Sequence, residues 1–155
     1  MEIRFAQIQD VPGILELLRQ VGKVHYDLRP DLFRENAQKY SASGVLALLE
    51  DFSAPIFVAV EDSKVLGYCF CQLHRIEKDP VLTDRESLYI DDLCVEESCR
   101  GQNIGRQLYE TACAYARQRK CYNVTLNVYA DNVSALKFYE KCGLSKQKIG
   151  MEYIL

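Results

Sequence analysis

Between Leu93 and Tyr139 the chain reads strand, glycine-containing loop, helix, strand, helix, and this order constrains the fold more than any other stretch. The apolar strand end Leu93-Cys94-Val95 gives way to the polar turn Glu96-Glu97-Ser98-Cys99. Arg100-Gly101-Gln102-Asn103-Ile104-Gly105-Arg106 then leads into a helix. A chain that leaves a strand through such a loop and at once starts a helix aims several unpaired backbone N–H groups at one point, and the helix dipole adds partial positive charge there. That arrangement binds phosphate. Farther on, Asp131-Asn132-Val133-Ser134-Ala135-Leu136-Lys137-Phe138-Tyr139 opens a second helix with a tyrosine two turns in.

The flanking segments predict one mixed α/β domain over residues 1–155. Residues 3–8 form a short strand; Asp10 caps a helix whose Ile14, Leu17, Leu18 and Val21 keep the spacing of a buried stripe, and Gly22 ends it. Residues 25–40 are aromatic and charged with weak periodicity, and 43–52 form a short helix. Residues 56–60 and 65–73 pair as a hairpin turned at Glu61-Asp62-Ser63-Lys64, followed by a charged loop over 77–86. Strands are expected at 88–95 and 123–129 and helices at 104–119 and 132–142. Gly143 stops the last helix, and the tail 144–155 reads as strand-like with a bend at Gly150.

With 155 residues, 48% hydrophobic and 26% charged, the chain suits a single globular domain. A net charge of −3 gives no broad electrostatic reason to bind nucleic acid and would attract a cationic small molecule at least as readily. No apolar run is long enough to span a bilayer, and Met1-Glu2-Ile3-Arg4 is not a signal-peptide start, so no membrane partner and a cytoplasmic location are expected. Seven cysteines without a Cys-x-x-Cys pair suggest buried, reduced thiols rather than disulfides or a metal site. No Gly-Lys-Ser or Gly-Lys-Thr follows the loop, which excludes a Walker-type nucleotide site.

With both motifs in view, the chain resembles the GNAT superfamily of acyl-CoA-dependent N-acetyltransferases from residue 3 to the C-terminus. Arg100, Gly101 and Gly105 match its acyl-CoA loop, and Asn132, Ala135, Phe138 and Tyr139 match its second signature. Asn103 stands where the loop motif has glycine; asparagine tolerates positive φ, so the loop can keep its shape. The resemblance implies a mixed central sheet flanked by helices, with splayed strands forming the acyl-CoA cleft. Main-chain groups of Leu93, Cys94 and Val95 would pair with the pantetheine arm, and N–H groups from Gly101 through Gln102, Asn103, Ile104 and Gly105 to Arg106 would hold the pyrophosphate. Asn132 would contact the pantetheine arm or serve as a helix N-cap. Acetyl-CoA is the implied co-substrate, with no metal.

Direct transfer to an amine needs a neutral nucleophile, donors for the developing oxyanion and a proton for the departing sulfur. An alkylamine of pKa near 10.4 is protonated at pH 7, which puts the reactive form about 4 to 5 kcal/mol uphill. Tyr139, by the resemblance, is the general acid, a role with roughly 10² to 10⁴ in rate at stake; its alternative is a core tyrosine. The strand Tyr89 to Val95 is similar to that of the spermidine/spermine N-acetyltransferase branch, where an acidic residue at the position of Asp91 handles the amine proton through water. Strand alternation turns Asp91 and Asp92 to opposite faces unless a bulge intervenes, so one of them should line the cleft: Asp91 as base or anchor, Asp92 as a substrate contact. Alternatives for Asp91 are a solvated carboxylate or an ion-pair partner. His25 is a second candidate base, and with Tyr26, Arg29 and Phe33 it would shape the acceptor pocket.

The expected function is acetyl-CoA-dependent N-acetylation of a primary amine, with a small cationic amine or polyamine favoured by the two carboxylates. Other readings are a protein N-terminal or lysine acetyltransferase and a non-catalytic acyl-CoA sensor. Similarity allows a monomer or a homodimer, with the C-terminal strand as one pairing edge.

Overall fold

The computed structural model describes residues 1–155. Five strands, β1 (Glu2–Phe5), β2 (Ile56–Glu61), β3 (Lys64–Ile76), β4 (Arg85–Val95) and β5 (Asn123–Leu126), form one sheet in chain order. β1 to β4 are antiparallel to their neighbours, whereas β5 runs parallel to β4 after a crossover through a helix. The β2–β3 hairpin turns on Asp62 and Ser63, whose φ of 48° and 63° give the two-residue turn that matches strand twist.

Helices α1 (Val11–Leu28) and α2 (Ala42–Leu49) cover one face of the sheet. Ile14, Leu17, Leu18 and Val45 pack there on Val58, Tyr68 and Phe70. Helix α3 (Ile104–Gln118) covers the other, with Ile104, Leu108, Ala112 and Ala116 against Phe57, Cys69, Leu88 and Ile90. A last helix, α4 (Val133–Lys141), follows β5. Asp10 precedes α1 but its carboxylate does not cap that helix. Instead it accepts from the Gln7 N–H at 2.8 Å and pairs with Arg4 at 2.6 Å, tying β1 to the helix entry.

Three further expectations are corrected. α1 does not stop at Gly22 but runs to Leu28. A Cβ at position 22 would collide with the Ala37 carbonyl oxygen, so glycine is there to let the 34–40 segment lie against the helix. β5 ends at Leu126 rather than Tyr129, because β4 bends away from it after Ile90. The tail 144–155 forms no strand. Its last backbone bond is from the Leu144 N–H to the Tyr139 carbonyl, and it does not pair with the free edge of β5.

Candidate active site

The parting of β4 and β5 builds the cleft. Their pairing runs from Ser87 with Asn123 to Ile90 with Leu126 and then stops, which leaves residues 91–95 of β4 with no neighbour on that side. On the other side, β3 register slips at the same place: Cys71 faces Ile90 and Phe70 faces Asp92, so Asp91 is the extra residue of a bulge. The unpaired edge at Leu93, Cys94 and Val95 has the geometry needed to receive an added strand-like chain.

Just beyond, the backbone N–H groups of Gly101, Gln102, Asn103, Ile104, Gly105 and Arg106 have no backbone acceptor in the protein; the first in this run that bonds is Gln107, to the Asn103 carbonyl at 3.1 Å. Such a run of orphan donors at the start of a fifteen-residue helix fits a pyrophosphate. Gly101 at φ 80° and Asn103 at φ 64°, ψ 9° turn the chain into this cup, so asparagine does occupy the left-handed conformation. Arg100 folds back, its Nε donating to the Val95 carbonyl at 3.4 Å.

The bulge changes the reading of the carboxylates. Leu88 and Ile90 belong to the α3-side core, as do Leu93 and Val95, whereas Cys94 belongs to the α1-side core. Parity therefore flips between 90 and 93, and both Asp91 and Asp92 face the α1 side. Asp91 is already engaged: Lys39 Nζ lies 2.8 Å from its Oδ1 and the Tyr40 hydroxyl donates to its Oδ2 at 2.6 Å. Asp92 has no cation in contact and accepts from the Tyr68 hydroxyl at 2.8 Å. Burial lifts the Asp92 carboxyl above its ordinary pKa, against the opposing pull of Tyr68, Lys39 and His25.

Tyr139, on α4, reaches the same interior. Burial, with Cys69 and Asp92 nearby, pushes its phenol well up, so it keeps its proton, and no hydrogen bond from the protein holds its hydroxyl. A protonated phenol in such a place can donate. Asn132 is the N-cap of α4, its Oδ1 accepting from the Ala135 N–H at 3.2 Å.

At the open end, His25 stacks on Phe33 with ring centroids 4.9 Å apart, and Tyr129 meets Phe33 edge-on at 5.4 Å. Tyr26 is half-buried one residue along α1 and joins no aromatic pair. Arg29, whose N–H closes the last turn of α1 on His25, holds Asp31 at 2.8 Å and Glu152 at 2.6 Å, with Asp131 at 4.0 Å. Lys39, Tyr40, Tyr68 and Tyr129 were not singled out by sequence reasoning. The first two sit in an aperiodic segment, and only Tyr129, an aromatic just past a strand end, carried a usable signal.

The profile of the acetyltransferase (GNAT) family matches residues 21–144. The chain belongs to the GNAT family. It is an N-acetyltransferase by that membership, and the family uses acetyl-CoA. It is 28% identical to glucosamine 6-phosphate N-acetyltransferase of Arabidopsis thaliana over 97% of this chain and 93% of that one. A solved tetramutant of the BH1408 protein from Bacillus halodurans is 33% identical and superposes over 100% of both chains with a TM-score of 0.95. An aminoglycoside N-acetyltransferase, AAC(6')-Iy in complex with CoA, shares the fold at 14% identity and a TM-score of 0.70, over 99% of this chain and 98% of that one.

Proposed function

We propose that this GNAT enzyme acetylates the primary amine of a small cationic acceptor, with a polyamine as the favoured class. The observation that carries the reading is the half-buried Asp92 carboxylate, which has no cation in contact, while its neighbour Asp91 is neutralised by Lys39. A half-buried carboxylate with no cationic partner favours an incoming ammonium. At the mouth, Asp31, Asp131 and Glu152 meet the single guanidinium of Arg29, so this end is also short of positive charge. An acceptor with two separated cationic centres fits both.

Acetyl-CoA supplies the activated acetyl group, its pyrophosphate held by the N–H groups of residues 101–106 and its arm laid along residues 93–95. Asp92 takes the proton that the amine must lose, and Tyr68 keeps that carboxylate in place. Tyr139 gives its proton to the sulfur. Net, the nitrogen gives up two protons: one passes through Asp92 to solvent before attack, and the other leaves as the N–C bond forms and, through solvent, restores the proton that Tyr139 gives to the sulfur as the C–S bond breaks, so each turnover releases one proton. His25, Phe33 and Tyr129 pack on the acceptor's hydrocarbon. We place the enzyme in the cytoplasm, where its seven free cysteines stay reduced, and we take it to act as a homodimer on the strength of the free sheet edge at β5.

The test is thiol release from acetyl-CoA across a panel of amines. Spermidine-like polyamines and diamines should give the highest kcat/KM, ahead of an amino-sugar phosphate, a lysine peptide and a peptide N-terminus. A ranking led by a peptide or by the anionic sugar would overturn the substrate class.

A further inference from the structure

Lys39 brings a primary amine of the chain itself to the acceptor end of the cleft. Its Nζ lies 2.8 Å from Asp91 Oδ1 and donates to the Asp91 carbonyl oxygen at 3.2 Å, so the amine sits on the main chain of the β4 bulge. It is also near enough to Asp92 to oppose the upward pull of burial on that carboxyl. Of the nine lysines only Lys23 and Lys39 are ion-paired, and Lys23 is held by Asp27 one turn along α1. The segment around Lys39 is fixed by contacts rather than by regular structure. Ala37 lies against Gly22, the Tyr40 hydroxyl donates to the other Asp91 oxygen at 2.6 Å, and the Tyr40 ring stacks on Phe70 with centroids 5.2 Å apart. Yet the Lys39 side chain is 44% exposed where that of Asp91 is 10% exposed, so the amine lies at the open face of a covered carboxylate.

Resting on the acetyl-transfer reading above, we infer that Lys39 is a self-acetylation site: with no amine acceptor bound, the enzyme transfers acetyl to its own Lys39 Nζ. The direction of the cleft carries this. A pantetheine arm that starts from a pyrophosphate at residues 101–106 and runs along Val95, Cys94 and Leu93 brings its acyl end back to Asp92 and Asp91. At a strand rise of about 3.4 Å per residue, that end lies within about 3 to 7 Å of the Asp91 carbonyl, which Lys39 already contacts. Lys39 enters as the ammonium. One proton passes from it through Asp92 to solvent. The neutral nitrogen then attacks the thioester carbonyl, an N–C bond forms, and a second proton leaves; through solvent it restores the one that Tyr139 gives to the sulfur as the C–S bond breaks. The products are an uncharged acetamide, free CoA thiol and one proton. The acetamide no longer neutralises Asp91, so the modified enzyme presents two carboxylates to an ammonium acceptor where the unmodified enzyme presents one.

The test is mass-spectrometric mapping of the full chain, first treated with a lysine deacetylase, after incubation with acetyl-CoA that carries a deuterated acetyl group and with no amine added. Label should enter Lys39 at least tenfold faster than any of the other eight lysines, which report plain chemical acylation by the thioester. Its rate should not change when the protein is diluted tenfold, as for a transfer within one chain. Tyr139→Phe, which keeps the packed ring and should keep the wild-type circular dichroism, should slow it by the same factor by which it slows acetylation of an added diamine. If Lys39 is labelled no faster than the other lysines in a preparation that acetylates the diamine, self-acetylation is overturned and the proposed function stands. Label on neither Lys39 nor the diamine would overturn both. A Lys39 rate that rises with protein concentration, or that survives Tyr139→Phe while diamine acetylation falls, would place the transfer outside the cleft and overturn the inference.

Discussion

At the scale of single residues, the proposed chemistry turns on two neighbouring carboxylates that the chain treats differently. Asp91 is held by Lys39 and Tyr40, and Asp92 is left to the cleft. Asp92→Asn should therefore cut kcat/KM with a cationic amine by roughly 10² to 10⁴, the usual worth of a general base, and Asp91→Asn should cost less; kinetics of the two variants decide the ranking. The pH dependence has a definite sign. Asp92 must be ionised to take a proton, and its folded pKa is raised, so the acid limb of the wild-type profile should lie above the ordinary aspartate value of about 3.9 and vanish in Asp92→Asn. The same shift means that the folded state binds this proton more tightly than the unfolded chain. Stability then falls as pH rises from the ordinary value through the raised one, and Asp92→Asn should not lower the melting temperature at neutral pH. Tyr139→Phe keeps the packed ring and loses the hydroxyl. It should lower kcat while leaving acetyl-CoA affinity near wild type; an unchanged kcat with a rate-limiting chemical step would return Tyr139 to a packing role.

At the scale of elements, the loop before α3 was the most legible part of the sequence, because its geometry depends on local backbone chemistry. Asn103 is in the left-handed region that its side chain tolerates. Asn103→Gly should therefore preserve acetyl-CoA binding, whereas Asn103→Val should weaken it by about 1 to 3 kcal/mol, the scale of forcing a β-branched residue to positive φ. Calorimetric Kd values, with a fold check on each variant, measure this. The strands and α3 were legible for the same local reason, namely apolar period. Which face Asp91 and Asp92 take was not, since one extra residue in β4 reverses parity and nothing in the alternation of Tyr89 to Val95 marks where it sits. Gly22 misled for a related reason. A glycine in a helical pattern reads as a stop, and here it serves a contact with Ala37 that lies fifteen positions along the chain. The Lys39-Tyr40 pair was hidden altogether, because an irregular segment is positioned by the surfaces it meets rather than by its own period.

At the scale of the whole molecule, two helices on one face and one on the other hold a sheet in which β4 and β5 part after Ile90 and Leu126, and the residues of the proposed site gather at that parting. The orphan N–H groups of residues 101–106 lie past the end of β4, Asp92 lies at its bulge, and Tyr139 comes in from the helix after β5. The tail was misread because strand propensity does not say whether a segment will pair with an edge, and this one leaves the free edge of β5 unpaired. The account's central claim is direct transfer from acetyl-CoA to an amine nitrogen in this cleft. Its most direct measurement is a mass-spectrometric count of N-acetylated amine against free thiol in one reaction with a diamine. The account predicts one acetylated amine for each thiol released, with both lost together in Asp92→Asn and Tyr139→Phe. Thiol released without acetylated amine, or product formation unaffected by either substitution, would contradict it.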